Sequence, residues 1–150
     1  MAIDRVEAIL MRRCYYLKCP YCGCDARLAD SKIIYGRSYG LVFICLNYPR
    51  CDAYVGVRSG KPMGTMANAE LREYRKLAHA TFDRLWKSGA MTRSGAYRLL
   101  AERLGLQPVD AHIGLFDVNM CRKTIEVAMG LPGERRSAIV SSYGLEGGRI

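Results

Sequence analysis

The sequence predicts an α+β chain: a small antiparallel ribbon held by a metal ion, followed by a three-helix segment packed against it. Three observations carry this. Cys19, Cys22, Cys45 and Cys51 follow the spacing C-x2-C-x22-C-x5-C. A glycine- and proline-containing stretch, residues 59–64, separates β-like from helix-like patterning. Beyond it, apolar residues recur at helical spacing in three blocks. The layout expected is a ribbon module with its N-terminal lead-in over 1–60, a helical segment over 61–130 and a mobile tail over 131–150.

The cysteine spacing is the strongest signal. Two close thiolate pairs are what a tetrahedral zinc ion needs, and four protein sulfurs close its coordination, which makes the metal structural. One Zn2+ on Cys19, Cys22, Cys45 and Cys51 is therefore expected. The first pair sits in Cys19-Pro20-Tyr21-Cys22-Gly23, a knuckle in which Pro20 fixes one φ and Gly23 permits φ > 0. Cys24 and Cys14 are alternative ligands. The seven cysteines are an odd number, which argues against a simple disulfide framework.

Taken in order, residues 2–13 space Ile3, Val6, Ile9 and Leu10 as a helix would, and read either as that helix or as a strand lead-in to Tyr15, Tyr16 and Leu17. Cys14, Tyr15, Tyr16 and Leu17 read as a strand delivering the knuckle. Residues 26–28 and 32–35 read as β segments, 35–40 as a turn with two glycines, and 41–46 as a β-branched, aromatic strand ending on Cys45. Residues 52–57 offer a third strand. Asn68 is a good N-cap for a helix running to about Lys87 and stopped by Gly89. Leu71, Tyr74, Ala78, Phe82, Leu85 and Trp86 form its apolar stripe. A second helix starts near Ser94 and ends at Gly105, with Tyr97, Leu100, Ala101 and Leu104 inward. Residues 106–116 form a connection too long for a helix-turn-helix. Asp117 caps a third helix with Val118, Cys121, Ile125 and Ala128 inward.

Composition narrows the function. Half the residues are apolar, enough for a packed core. No apolar run spans a bilayer, and Asp4 and Glu7 among the first residues are wrong for a secretory signal. A reducing cytoplasm is expected, the host's if a phage encodes the chain, with no membrane partner and no small-molecule substrate. The net charge of +9 suits a polyanion. Aromatics of the ribbon interleave with basic residues, so rings can stack bases while cations hold phosphates. Lys32, Tyr35, Arg37, Tyr39, Arg50 and Arg58 are the candidate nucleic-acid contacts, with about half the ribbon's aromatics expected in its core. His79 and Asp83 stand one helical turn apart and, with His112, could serve a metal-dependent nuclease. The expectation for the pair is helix packing, and for His112 and Cys121 a buried structural role.

Two resemblances rest on these motifs. Cys19-Pro20-Tyr21-Cys22-Gly23, Phe43-Ile44-Cys45 and Tyr48-Pro49-Arg50-Cys51 resemble the zinc ribbons that follow the catalytic core of bacterial type I topoisomerases. Those ribbons bind single-stranded DNA, and the resemblance implies a similar platform here. Topoisomerase activity is not implied, because the catalytic domain is absent. A longer likeness spans 19–127. It rests on the knuckle, Cys51-Asp52-Ala53-Tyr54-Val55-Gly56-Val57, Pro62-Met63-Gly64, Glu70-Leu71-Arg72 with Ala78-His79, Phe82-Asp83-Arg84-Leu85-Trp86-Lys87, Ala96-Tyr97, and His112-Ile113-Gly114-Leu115-Phe116-Asp117 with Cys121. These residues resemble a zinc-finger-containing family of unassigned function in bacteria and phages. The function expected is non-catalytic binding of nucleic acid, single-stranded or distorted DNA, as a phage accessory factor. The alternative is a protein-interaction module, such as a phage inhibitor of a host or defence enzyme.

Overall fold

The computed structural model describes residues 17–130. The expected helix over 2–13, the strand residues Cys14, Tyr15 and Tyr16, and the tail over 131–150 lie outside the described residues. The chain divides into two compact units, Met1–Arg72 and Glu73–Ile150.

The first unit is a four-stranded antiparallel sheet in the order β1-β2-β3-β4. Its strands are β1 (Ala26–Asp30), β2 (Leu41–Cys45), β3 (Tyr54–Arg58) and β4 (Lys61–Pro62). The register pairs Arg27 with Ile44 and Ile44 with Tyr54 across the sheet. Alternation then sorts side chains onto two faces. One face buries Leu28, Phe43, Cys45 and Val55 with Cys19, Ala53 and Met66. The other buries Ala29, Val42 and Ile44 under Ile34, Tyr48 and Tyr54.

Two segments depart from the sequence reading. Residues 32–35 form a one-turn helix, α1 (Lys32–Tyr35), rather than a strand. Asp30 and Ser31 stop β1. The Asp30 carboxylate accepts from Lys32 N at 2.8 Å and from Ser38 Oγ at 2.9 Å, and the Ser31 carbonyl accepts from Ile34 N and Tyr35 N. These local bonds outcompete the β preference of Ile33 and Ile34. Ile34 packs on the sheet while Ile33 stays exposed. The second departure is the presumed seam over 59–64, which is a hairpin. Ser59 and Gly60 have φ of 51° and 73°, the two positive values of a type I′ turn, and β3 folds straight back into β4.

The division between units therefore falls later than Gly60. Ala67 bridges to Tyr54 through two backbone hydrogen bonds, and residues through Arg72 belong to the ribbon unit.

Helix α2 (Ala69–Phe82) opens with Asn68 Oδ1 accepting from Leu71 N at 3.0 Å. Asp83 interrupts it briefly before α3 (Arg84–Lys87), but the path stays helical: Asp83 N donates to His79 O and Lys87 N to Asp83 O. Thr81, buried two residues before Asp83, turns its hydroxyl back onto the Leu77 carbonyl, a bond that bends helices.

In the second unit, α4 (Arg93–Leu104) begins at Thr92, whose Oγ1 accepts from Gly95 N, and ends at Gly105. It packs on α3, on α5 (Val118–Gly130) and on a 3-10 turn, Pro108–Asp110. The expected long connection holds this turn and another, Ile113–Leu115. Ala111, Ile113 and Phe116 anchor it in the core, and Phe116 O accepts from Arg75 Nε. Asp117 Oδ1 caps α5 by accepting from Met120 N at 2.8 Å. Phe82, Leu100, Ile113, Cys121 and Thr124 are among the largest fully buried side chains.

Candidate metal centre and basic aromatic face

Two backbone turns carry the four cysteines. In the first, Gly23 N donates to Cys19 O and Cys19 N to Cys24 O, and Gly23 adopts φ 75°, which a residue with a Cβ rarely tolerates. In the second, Tyr48 N donates to Cys45 O, Cys51 N to Asn47 O, and Asn47 N to the Cys45 sulfur at 3.4 Å. Leu46 N donates to Asp25 O and ties the turns together. β2 delivers Cys45 at its end, and Cys45 N donates to Ala53 O beyond the second turn.

The sulfurs of Cys19, Cys22, Cys45 and Cys51 lie within 4.8 Å of one another, with Cys19–Cys51 at 3.4 Å and Cys22–Cys45 at 3.3 Å. Thiolates bound at about 2.3 Å to one tetrahedral ion stand about 3.8 Å apart. The group brackets that value and suits one zinc ion. Four sulfurs leave no coordination position for chemistry, so the ion is structural. Electrostatics differ around the group. The Cys24 backbone N–H and then the Cys45 side chain hold the Cys22 thiol down to about 6. Burial pushes Cys45 up to about 12 against the opposing Asn47 N–H. Such buried thiols are the ones a dication must deprotonate. Cys24 lies outside the group, and its hydrogen bond to Cys22 leads the causes that raise its thiol. Cys14 lies outside the described residues.

Three of the candidate contacts come together. Tyr35 ends α1, and Arg37 and Tyr39 follow in the connection to β2. Tyr39 meets Tyr35 edge-on at 5.7 Å, and Tyr35 meets Tyr54 edge-on at 6.2 Å. The Tyr35 and Tyr54 hydroxyls are 2.7 Å apart. Arg37 lies 4.8 Å over the Tyr39 ring and Arg72 lies 4.0 Å over Tyr54. The result is a row of three tyrosines with an arginine at each end: Arg37, Tyr39, Tyr35, Tyr54, Arg72. Tyr39 and Tyr35 are 66% and 51% exposed, so both are accessible to a partner. Burial, then the Tyr35 hydroxyl, raises Tyr54 to about 12 and keeps it a neutral phenol.

Lys32 is exposed on α1. Arg50 is exposed in the second cysteine turn, and Arg58 is exposed beside the β3–β4 turn, in a hollow lined also by Ser59, Lys61, Pro62 and Met63. Of the other ribbon aromatics, Phe43 is buried, Tyr48 half-buried and Tyr21 exposed. Sequence reasoning missed the pairing of Tyr54 with Arg72. The alternation of β3 puts Tyr54 on the Ile44 face, but no local signal brings Arg72 to it. Arg72 is held by tertiary bonds: Nη1 donates to Asp52 O and Ala67 O, and Nη2 pairs with the Asp52 carboxylate at 3.1 Å. That carboxylate also accepts from Ala69 N.

His79 Nδ1 lies 3.5 Å from Asp83 Oδ2, an i,i+4 contact on the helix. Cys121 is buried as expected, which pushes its thiol up to about 11, whereas His112, expected buried, is exposed beside Tyr97. Among the described residues the four cysteines are the one group of three or more side chains able to hold a metal. Residues 36–40 spell G-x-S-x-G. Ser38 follows a helix and precedes a strand, the reverse of the strand–turn–helix order of a nucleophile elbow, and its Oγ donates to Asp30. Both histidines of the chain fall in the other unit.

A zinc-ribbon module joined to a helical unit defines the class. Residues 15–130 match the family described as a zinc-finger-containing domain, and the chain belongs to it. No curated protein and no solved structure gives a significant match. The topoisomerase likeness therefore rests on the motifs of 19–51 alone. No described helix is long and apolar enough to cross a membrane.

Proposed function

We propose that the protein is a non-catalytic binder of single-stranded or distorted nucleic acid, an accessory factor working over the arginine–tyrosine row of the ribbon. One observation carries the reading: three tyrosine rings in edge-on contact run between the Arg37 and Arg72 guanidinium groups, with Tyr35 and Tyr39 exposed. Bases stack on such rings whatever their identity, and Arg and Lys hold the phosphates between them. Base preference is accordingly weak. The net charge of +9 adds long-range attraction. The closed thiolate set supports a non-catalytic role, since it offers no position for an activated water. A reducing cytoplasm suits the six free cysteines of the described residues.

Anisotropy of a labelled oligo(dT) across a salt series tests the reading. Affinity falls steeply as salt rises. Joint Arg37→Ala and Tyr39→Ala substitution weakens binding by about tenfold or more, from a stacking contribution of about 1–3 kcal/mol per base, and leaves the zinc content unchanged. No binding at low salt removes the proposal.

A further inference from the structure

The helical unit carries a second basic aromatic cluster that the ribbon reading does not use. Trp86 ends on the surface of α3, half-buried, with its indole N–H donating to Asp83 Oδ1 at 3.3 Å. The Arg93 guanidinium lies 5.6 Å from the Trp86 ring and 5.0 Å from the Tyr97 ring, so one cation serves two aromatic neighbours. Lys87 lies 5.3 Å from the same indole. Tyr97 leans on buried Phe82 at 5.1 Å and on exposed His112 at 6.3 Å. The carboxylate of Asp83 is 16% exposed and already engaged by the indole, by His79 and by Lys87. Exposed Lys87 and Arg93 thus give this cluster a net cationic rim.

We infer that Trp86, Arg93 and Tyr97, with Lys87, form a second contact surface for single-stranded nucleic acid. The chemistry follows from the arrangement. A phosphate draws Arg93 or Lys87 off the rings, and a base takes the vacated aromatic face, exchanging a cation–π contact for stacking. Fully buried Phe82 holds the Tyr97 ring in place. The surface is independent of the arginine–tyrosine row, since every residue in it belongs to the second unit.

Trp86 is the only tryptophan of the chain, so its emission reports this surface directly. Oligo(dT) is titrated into the full-length zinc-loaded protein while anisotropy of a labelled strand is followed in parallel. The expected result is saturable quenching of Trp86 at concentrations where anisotropy rises. Joint Lys87→Ala and Arg93→Ala substitution removes most of the quench and lowers the salt slope by about 2, one for each lost phosphate contact. Arg93→Lys guards against misfolding: it keeps the charge and the salt slope but loses the flat stacking partner, so the quench changes while thermal unfolding does not. A rise in anisotropy with flat Trp86 emission overturns this inference and leaves the ribbon reading standing. A flat response in both channels overturns the two together. Equal quenching by poly-glutamate overturns it in favour of an acidic polypeptide as the occupant.

Discussion

The two units solve the same problem, holding a surface still, by different physics. The ribbon has four short strands, and among its described residues Ile44 and Cys45 are its largest fully buried side chains. One of those is a candidate metal ligand. The helical unit buries Phe82, Leu100, Ile113, Cys121, Thr81 and Thr124 completely and has no comparable cysteine cluster among the described residues. A small sheet with two thin faces cannot bury enough apolar surface to hold itself together, and a metal supplies what the core lacks. Four helices, α2 to α5, and two 3-10 turns closing on one apolar interior need no such help. The comparison teaches that stability in the first unit is concentrated at four atoms, while in the second it is spread over many contacts.

The sharpest way to break the comparison is to remove the metal. Cys45→Ser, or a strong chelator, takes away a binding free energy of about 10–16 kcal/mol. The amide dispersion of the ribbon residues collapses in an NMR spectrum, while helical circular dichroism from the second unit persists. Loss of both signals together would show that the units do not differ in this way. The reciprocal test is Phe82→Ala, which costs about 3–5 kcal/mol by leaving a cavity in the helical core. The zinc stoichiometry, read by elemental analysis, stays at one.

Arg72→Ala sharpens the comparison within the ribbon. It removes charge-assisted bonds to Asp52 and Ala67 and the cation over Tyr54. Bonds of this kind contribute about 1.5–3 kcal/mol each, so denaturant unfolding of the ribbon shifts to lower midpoint, and oligonucleotide affinity falls with it. The smallest effect is Thr92→Ala, which deletes the cap of α4 and costs about 1 kcal/mol. It lowers the thermal midpoint of the helical unit and leaves the oligonucleotide salt slope unchanged.

Legibility in the sequence followed the range of the interactions. Each of the two cysteine pairs, the Asn68 and Asp117 caps and the Gly105 stop depend on residues a few positions apart, and their spacing announces them; the two cysteine pairs themselves meet across 22 intervening residues. The apolar stripe of α2 was readable for the same reason, although Tyr74 and Trp86 are only half-buried. Residues 32–35 misled because two β-branched isoleucines outweighed the Asp30-Ser31 stop. The Ser59-Gly60 hairpin misled because a turn and a linker share the same composition. The serine at positive φ distinguishes them, and it is visible only in the fold.

The sequence by itself determined the metal ligand group, the β-then-α order of the chain and the basic, aromatic character of the ribbon. Each follows from residue type and short spacing, which constrain local geometry directly. Only the tertiary structure decided which aromatics and cations meet. Tyr35 reaches Tyr54 across 19 positions and Tyr54 reaches Arg72 through the bridge to Ala67. The same holds for Arg93 and Trp86, which meet only once α3 and α4 pack together. Such meetings depend on how the chain closes on itself, and no local pattern of residues encodes them.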